Sequence, residues 1–88
     1  MSIIMNLLYS LEEITNELKK NGKYESASFF SIRHDKIKNY GEEKTQEIIK
    51  ELSACRAMSQ YANFSLNEEM LLDAVVNNAV ALKKQYNE

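Results

Sequence analysis

The side chains able to do chemistry in this chain are few. It holds one histidine, His34, and one cysteine, Cys55. Ser31 lies three residues before His34, a spacing that lets the two meet on one helical face. A hydroxyl–imidazole pair is therefore the nucleophilic arrangement the sequence offers, and such a pair needs a third group to orient the ring. Asp35 is the next residue in the chain, so on a helix it projects about 100° away from His34. The reading is an exposed, solvated histidine that Asp35 does not orient. Cys55 falls on an apolar stripe and reads as a small buried hydrophobe. A structural zinc takes four ligands, mostly Cys and His, and one of each on different segments gives no metal site. Glu42-Glu43 and Glu68-Glu69 stand at helix starts, where capping and the helix dipole explain them. No glycine-rich phosphate loop occurs, since the chain has only Gly22 and Gly41. These observations predict a protein that is not an enzyme and uses no cofactor.

Binding to nucleic acid or to a membrane is also disfavoured. Arg33-His34-Asp35-Lys36-Ile37-Lys38 is a basic run, but it contains an aspartate and precedes Glu42 and Glu43. Phosphate binding needs a concentrated positive field, and the net charge is −2. The opening Met1–Tyr9 stretch is apolar, yet it lacks basic residues and is followed by Glu12 and Glu13. It reads as neither signal peptide nor membrane span. A lone cysteine suits a reducing compartment, so a cytoplasmic protein is expected. With 44% apolar and 27% charged residues, the 88-residue chain matches a single folded domain, residues 1–88. At this size nearly every large apolar side chain is needed for the core.

The elements that must position these residues follow from three breaks. Asn21-Gly22 comes after Lys19-Lys20, and Gly41 after Lys38-Asn39-Tyr40; basic residues followed by glycine end helices. At the third break, Ser65-Leu66-Asn67-Glu68 has the spacing of a capping box. Four helical segments result, and no strand. The first ends at Lys20 and starts at either Ile3 or Ser10, because Ser10-Leu11-Glu12-Glu13 is a second capping box with Tyr9 and Ile14 as its staple. The spacing leaves that choice open. The second covers Lys23 to Tyr40, the third Glu42 to Asn63, and the fourth Leu66 to Tyr86. The expected fold is an all-α, compact antiparallel bundle of three to four helices. Its core should contain Leu7, Leu11, Ile14, Leu18, Phe30, Ile37, Ile48, Leu52, Cys55, Leu71, Val75 and Leu82. Charge is uneven: Ser53–Leu82 carries only Arg56, Glu68, Glu69 and Asp73 of the 24 charged residues. So low a charge density implies either a central helix or a face that meets a partner.

Two blocks of the chain resemble a family of small all-helical immunity proteins that protect bacteria against type VI secretion effectors. One is Asn21-Gly22-Lys23-Tyr24-Glu25-Ser26-Ala27-Ser28-Phe29-Phe30, where the family has a turn and then a tyrosine–glutamate pair opening its second helix. The other runs from Leu52 to Lys83. It includes Leu52-Ser53-Ala54-Cys55-Arg56-Ala57-Met58-Ser59-Gln60-Tyr61 and, after the capped break, Leu66-Asn67-Glu68-Glu69-Met70-Leu71. The chain departs from the family at Cys55, where glycine is usual, at Gln60, where an acid is usual, and in having no proline after the break. The resemblance implies a bacterial antitoxin that binds a cognate effector toxin domain and occludes its active site. Aromatic and charged residues off the core stripes would make the contacts, since such anchors dominate interface energies. The candidates are Tyr24, Arg33, Tyr61, Asp73 and Asn77. The competing expectation is a homodimeric helical adaptor or regulator that uses the low-charge C-terminal half as its seam, with a secretion chaperone as a third.

Overall fold

The computed structural model describes residues 3–39 and 42–86. Tyr40, Gly41 and the side chains of Glu42 and Glu43, which entered the reading above, lie outside the described residues. Among these residues the chain forms five helices and no strand: α1 (Ile3–Lys20), α2 (Tyr24–Asn39), α3 (Glu42–Ser53), α4 (Met58–Tyr61) and α5 (Leu66–Tyr86). The all-α bundle is the fold. Helix α1 packs along both α2 and α5, and α5 packs along α3. No described helix is long and apolar enough to cross a membrane.

Helix α1 is continuous from Ile3, so the Ser10 capping box does not form. Ser10 is buried in mid-helix, where its hydroxyl donates to the Leu7 carbonyl at 2.8 Å and accepts from the Asn78 amide of α5 at 3.3 Å. With its hydroxyl committed there, Ser10 needs no free helix start. The line Leu7, Leu11, Ile14, Leu18 is fully buried. Helix α1 closes at Gly22 in the left-handed region (φ 78°). The Lys23 amide reaches the Leu18 carbonyl at 2.8 Å and the Gly22 amide reaches Lys19 at 3.1 Å. This double closure is the Schellman motif, which a residue with a Cβ resists. Three residues then suffice to turn the chain into α2, which runs back antiparallel along α1.

The third predicted segment is not one helix. It breaks after Ser53, and Ala54–Ala57 form tight turns in which amides reach back three residues, as from Ala54 to Glu51 and from Met58 to Cys55. The side chains explain the break. The Ser53 hydroxyl and the Cys55 thiol donate to the Lys50 and Leu52 carbonyls at 2.7 and 3.1 Å, taking acceptors that a continuing α-helix would use. The four-residue α4 ends at Asn63 (φ 55°), and the Phe64 amide closes onto the Ser59 carbonyl.

Eleven of the twelve expected core residues are buried, and Leu71 is the exception. The inward line of α5 is 68, 72, 75, 79 and 82, so Leu72 takes the central place and Leu71 borders it. Ala27, Ile49, Met58, Phe64, Val76 and Ala79 complete the core. Leu52 is wholly buried where α3 meets α5, so Leu52→Ala should cost about 2–5 kcal/mol. A denaturant titration measures this, and a change below about 0.5 kcal/mol would remove Leu52 from the core.

Candidate functional site

The head of α5's inward line is a carboxylate. Glu68 has 0% exposure, and burial alone would drive its proton affinity up. Its hydrogen bonds reverse this. Asn21 donates to Oε2 at 2.8 Å, the Lys23 ammonium to Oε1 at 2.5 Å, and the Ser65 amide to Oε1 at 2.7 Å. Together they outweigh desolvation and hold the Glu68 pKa down at about 2. The Glu68 amide answers with a bond to the Ser65 hydroxyl at 3.2 Å, completing the capping box. Lys23 also donates to the Asn63 carbonyl at 2.6 Å and lies 5.7 Å from the Phe64 ring centre. One buried acid thus joins the ends of α1, α2 and α4 to the start of α5.

The backbone held by this network carries two of the predicted contact residues. Tyr24 follows Lys23, and Tyr61 precedes Asn63 by two. Both are largely exposed, and they share an open groove with Met58, Ala62 and Lys23. A second groove lies on the other side of α4, lined by Arg56, Ala57, Ser59, Gln60, Glu69, Leu72 and Asp73. Helix α4 is the ridge between the two. Asp73 and Asn77 meet through Arg56, whose guanidinium lies 3.6 Å from the Asp73 carboxylate and donates to the Asn77 side-chain carbonyl at 3.4 Å. The line 66, 70, 73, 77 follows the 4–3–4 spacing of one helical face, and its first members, Leu66 and Met70, are exposed.

Arg33 stands apart from this surface. Its guanidinium stacks 3.7 Å from the centre of the Phe29 ring, donates to the Phe29 carbonyl and pairs with Glu51 at 2.9 Å. It clamps α2 to α3. Sequence reasoning missed Arg56, Leu66 and Met70. The signal available for the last two was the apolar i, i+4 pair directly after the Ser65 cap, on the face opposite the core line.

His34 corrects the sequence reading. Its ring is largely covered, with Nδ1 3.2 Å from an Asp35 carboxylate oxygen and Nε2 3.3 Å from Glu12 Oε1. The Cβ directions of neighbouring helical residues do diverge, but two rotatable bonds bring the Asp35 carboxylate back to the ring. Cys55 is buried as expected, and desolvation pushes its thiol up to about 11, far from thiolate reactivity at neutral pH. Among the described residues no three His, Cys, Asp or Glu side chains are grouped to hold a metal ion.

Comparison of the chain with family models, curated proteins and solved structures returns no match. What the chain can do therefore rests on its own geometry. That geometry offers a short ridge with two flanking grooves, aromatic side chains in the open, and a charged cluster along one rim.

The Glu68 pKa gives a testable pH dependence. Its folded value, about 2, lies below the ordinary 4.5. The stability it contributes is fully present above pH 4.5 and is lost as pH falls toward about 2. Thermal unfolding across that window should show the melting temperature falling steeply in the native chain. In Glu68→Gln the curve should start lower and be flatter. Equal slopes would mean that the carboxylate is not held ionised.

Proposed function

We propose that the protein is an immunity protein: it binds a bacterial effector toxin domain through the α4 ridge and occludes the toxin's active site. The observation that carries this reading is the pair Tyr24 and Tyr61, both exposed beside one groove on backbone fixed by the Glu68 network. Exposed tyrosines on a rigid frame are good anchors, because little conformational freedom is lost when they are covered. Arg56, Asp73 and Asn77 add a polar rim that selects a partner by charge. The likeness of Asn21–Phe30 and Leu52–Lys83 to the immunity family points to a toxin as that partner, and both blocks contribute to this surface.

Such an inhibitor works one-to-one and tightly. Nanomolar affinity requires roughly −12 kcal/mol, usually from about 1,200–2,000 Å² of buried surface. A stretch of surface including both grooves and the outward line of α5 would supply this protein's half. The second reading, a homodimeric adaptor, draws on the same low-charge region: Leu66, Met70 and Ala74 are exposed along α5. Light scattering and a pull-down together separate the two: a stable homodimer with no toxin-like partner favours the adaptor, and a monomer that copurifies with a toxin domain favours immunity.

The direct test is coexpression with the product of the neighbouring gene. The chain should rescue growth and remain with the toxin through gel filtration. Absence of rescue, or rescue by chemical modification of the toxin, would overturn occlusion. Tyr24→Ala and Tyr61→Ala should each weaken the complex by about 2 kcal/mol or more while changing stability by less than about 0.5 kcal/mol. Arg33→Ala should do the reverse, lowering the melting temperature with little effect on the complex.

A further inference from the structure

Residues 54–63, which hold α4, are tied to the rest of the chain more weakly than any long helix. A four-residue helix has too few hydrogen bonds to stand by itself, and Ala57 at its N-cap supplies no side-chain cap. The approach to it is a run of tight turns, with amides of Ala54, Cys55, Met58, Ser59 and Gln60 each reaching back three residues. Among the described helices, α4 packs against α5 alone. Ala54, Arg56, Ala57, Gln60, Tyr61 and Asn63 are exposed, and only Cys55 and Met58 are buried. Asn63 closes the segment at φ 55°, a conformation that costs any side chain something and asparagine least. Among the described residues two polar ties cross from this segment to the bundle. Arg56 meets Asp73 at 3.6 Å and Asn77 at 3.4 Å, with both charged partners more than half exposed, where such a pair contributes little. The other tie is the Lys23 ammonium, which donates to the Asn63 carbonyl at 2.6 Å and is itself anchored by the buried Glu68.

We propose that residues 54–63 form a latched flap, hinged at the turns over 54–57 and at Asn63, with Lys23 as the latch. The flap is closed in the native structure and opens as one unit while α1, α2, α3 and α5 stay folded. Few buried side chains and exposed backbone bonds are what place a segment at the low end of local stability. Opening turns Met58 out to water and uncovers Cys55. It also removes the α4 wall from both grooves at once, since Met58, Tyr61 and Ala62 line one and Arg56, Ala57, Ser59 and Gln60 the other. The surface beside α4 therefore exists only while the latch is closed. This inference concerns the free chain and stands or falls independently of the toxin-binding reading.

The test is native-state hydrogen exchange of the full chain at several low denaturant concentrations. The amides of Met58, Gln60, Ala62 and Phe64 should share one opening equilibrium, populated at least about a hundredfold more than the opening of Leu11, Ile14 and Val75. Its dependence on denaturant should be shallow, because opening the flap exposes little surface. Alkylation of Cys55 by iodoacetamide should report the same equilibrium. Exchange that merges with the long helices at every denaturant concentration would overturn the flap. So would a separate opening for each amide, or alkylation that outruns the amides. Lys23→Gln should raise the opening of the segment about tenfold, the equivalent of one hydrogen bond from a charged donor. Lys23 also answers Glu68, so if this variant does not fold the hinge is read from Asn63→Ala, whose side chain is exposed. A left-handed alanine there should raise the opening about fivefold. Unchanged exchange of the segment in folded Lys23→Gln would overturn the latch, and in Asn63→Ala the hinge.

Discussion

A buried carboxylate is tolerated only when its charge is answered and its oxygens are bonded, and Glu68 imposes that demand on this fold. Its partners come from three places: Asn21 at the end of α1, Lys23 before α2, and Ser65 before α5. For them to converge, α1 must stop abruptly and the chain must re-enter at once. Gly22 in the left-handed region provides this for α1, and Asn63 provides it for α4. The Asn63 carbonyl then becomes a second acceptor for Lys23. The turns and the buried acid are thus one device. Removing the acid costs Asn21 its long-range acceptor and leaves Lys23 with the neutral Asn63 carbonyl as the link between the two turns.

The same device leaves four apolar side chains outside at its own end of the molecule. In a chain this small nearly every large apolar group is wanted in the core. Met5, Tyr9 and Ile32 are nevertheless exposed on α1 and α2, and at the Glu68 end Tyr24, Tyr61, Leu66 and Met70 are exposed as well. In this second group the exposure has a local reason. Each lies within two residues of a member of the network: Lys23, Asn63, Ser65 and Glu68. Polar bonds hold the backbone at this end, so these side chains are not needed to pack it. They are available for something else while their positions stay fixed.

The sequence disclosed the parts of this arrangement that depend on local chemistry. The capping box at Ser65 and Glu68, the stop at Gly22 and the apolar line from Leu7 to Leu18 were legible because each is a relation among residues four or fewer apart. The break after Ser53 was not legible. No glycine or proline marks it, and the competition of Ser53 and Cys55 for carbonyls looks in sequence like ordinary helix. Of the three α5 residues expected in the core, Val75 and Leu82 are buried and Leu71 only borders Leu72. The residue not expected in that line is Glu68, which the spacing assigns to the cap alone. In the structure it is both the cap and the first residue of the buried line. Its long-range partners, 45 and 47 residues away in sequence, leave no local trace. His34 shows the same limit: its link to Glu12 crosses two helices, and only packing brings the residues together.

The break in the third predicted segment places the candidate contact residues of the second half. A continuous helix over 42–63 would have carried Tyr61 along the axis of α3, as one more residue on a long rod. The break instead folds Arg56, Gln60 and Tyr61 back across α5, turning a helix end into a ridge with a groove on each side. Arg56 can reach Asp73 and Asn77 only because of this turn. Ser53 and Cys55 therefore do more than interrupt a helix: by holding the Lys50 and Leu52 carbonyls, they bring the candidate binding residues of the second half onto one surface. A short ridge and tyrosines carried beside it are two consequences of one local break placed next to one buried acid.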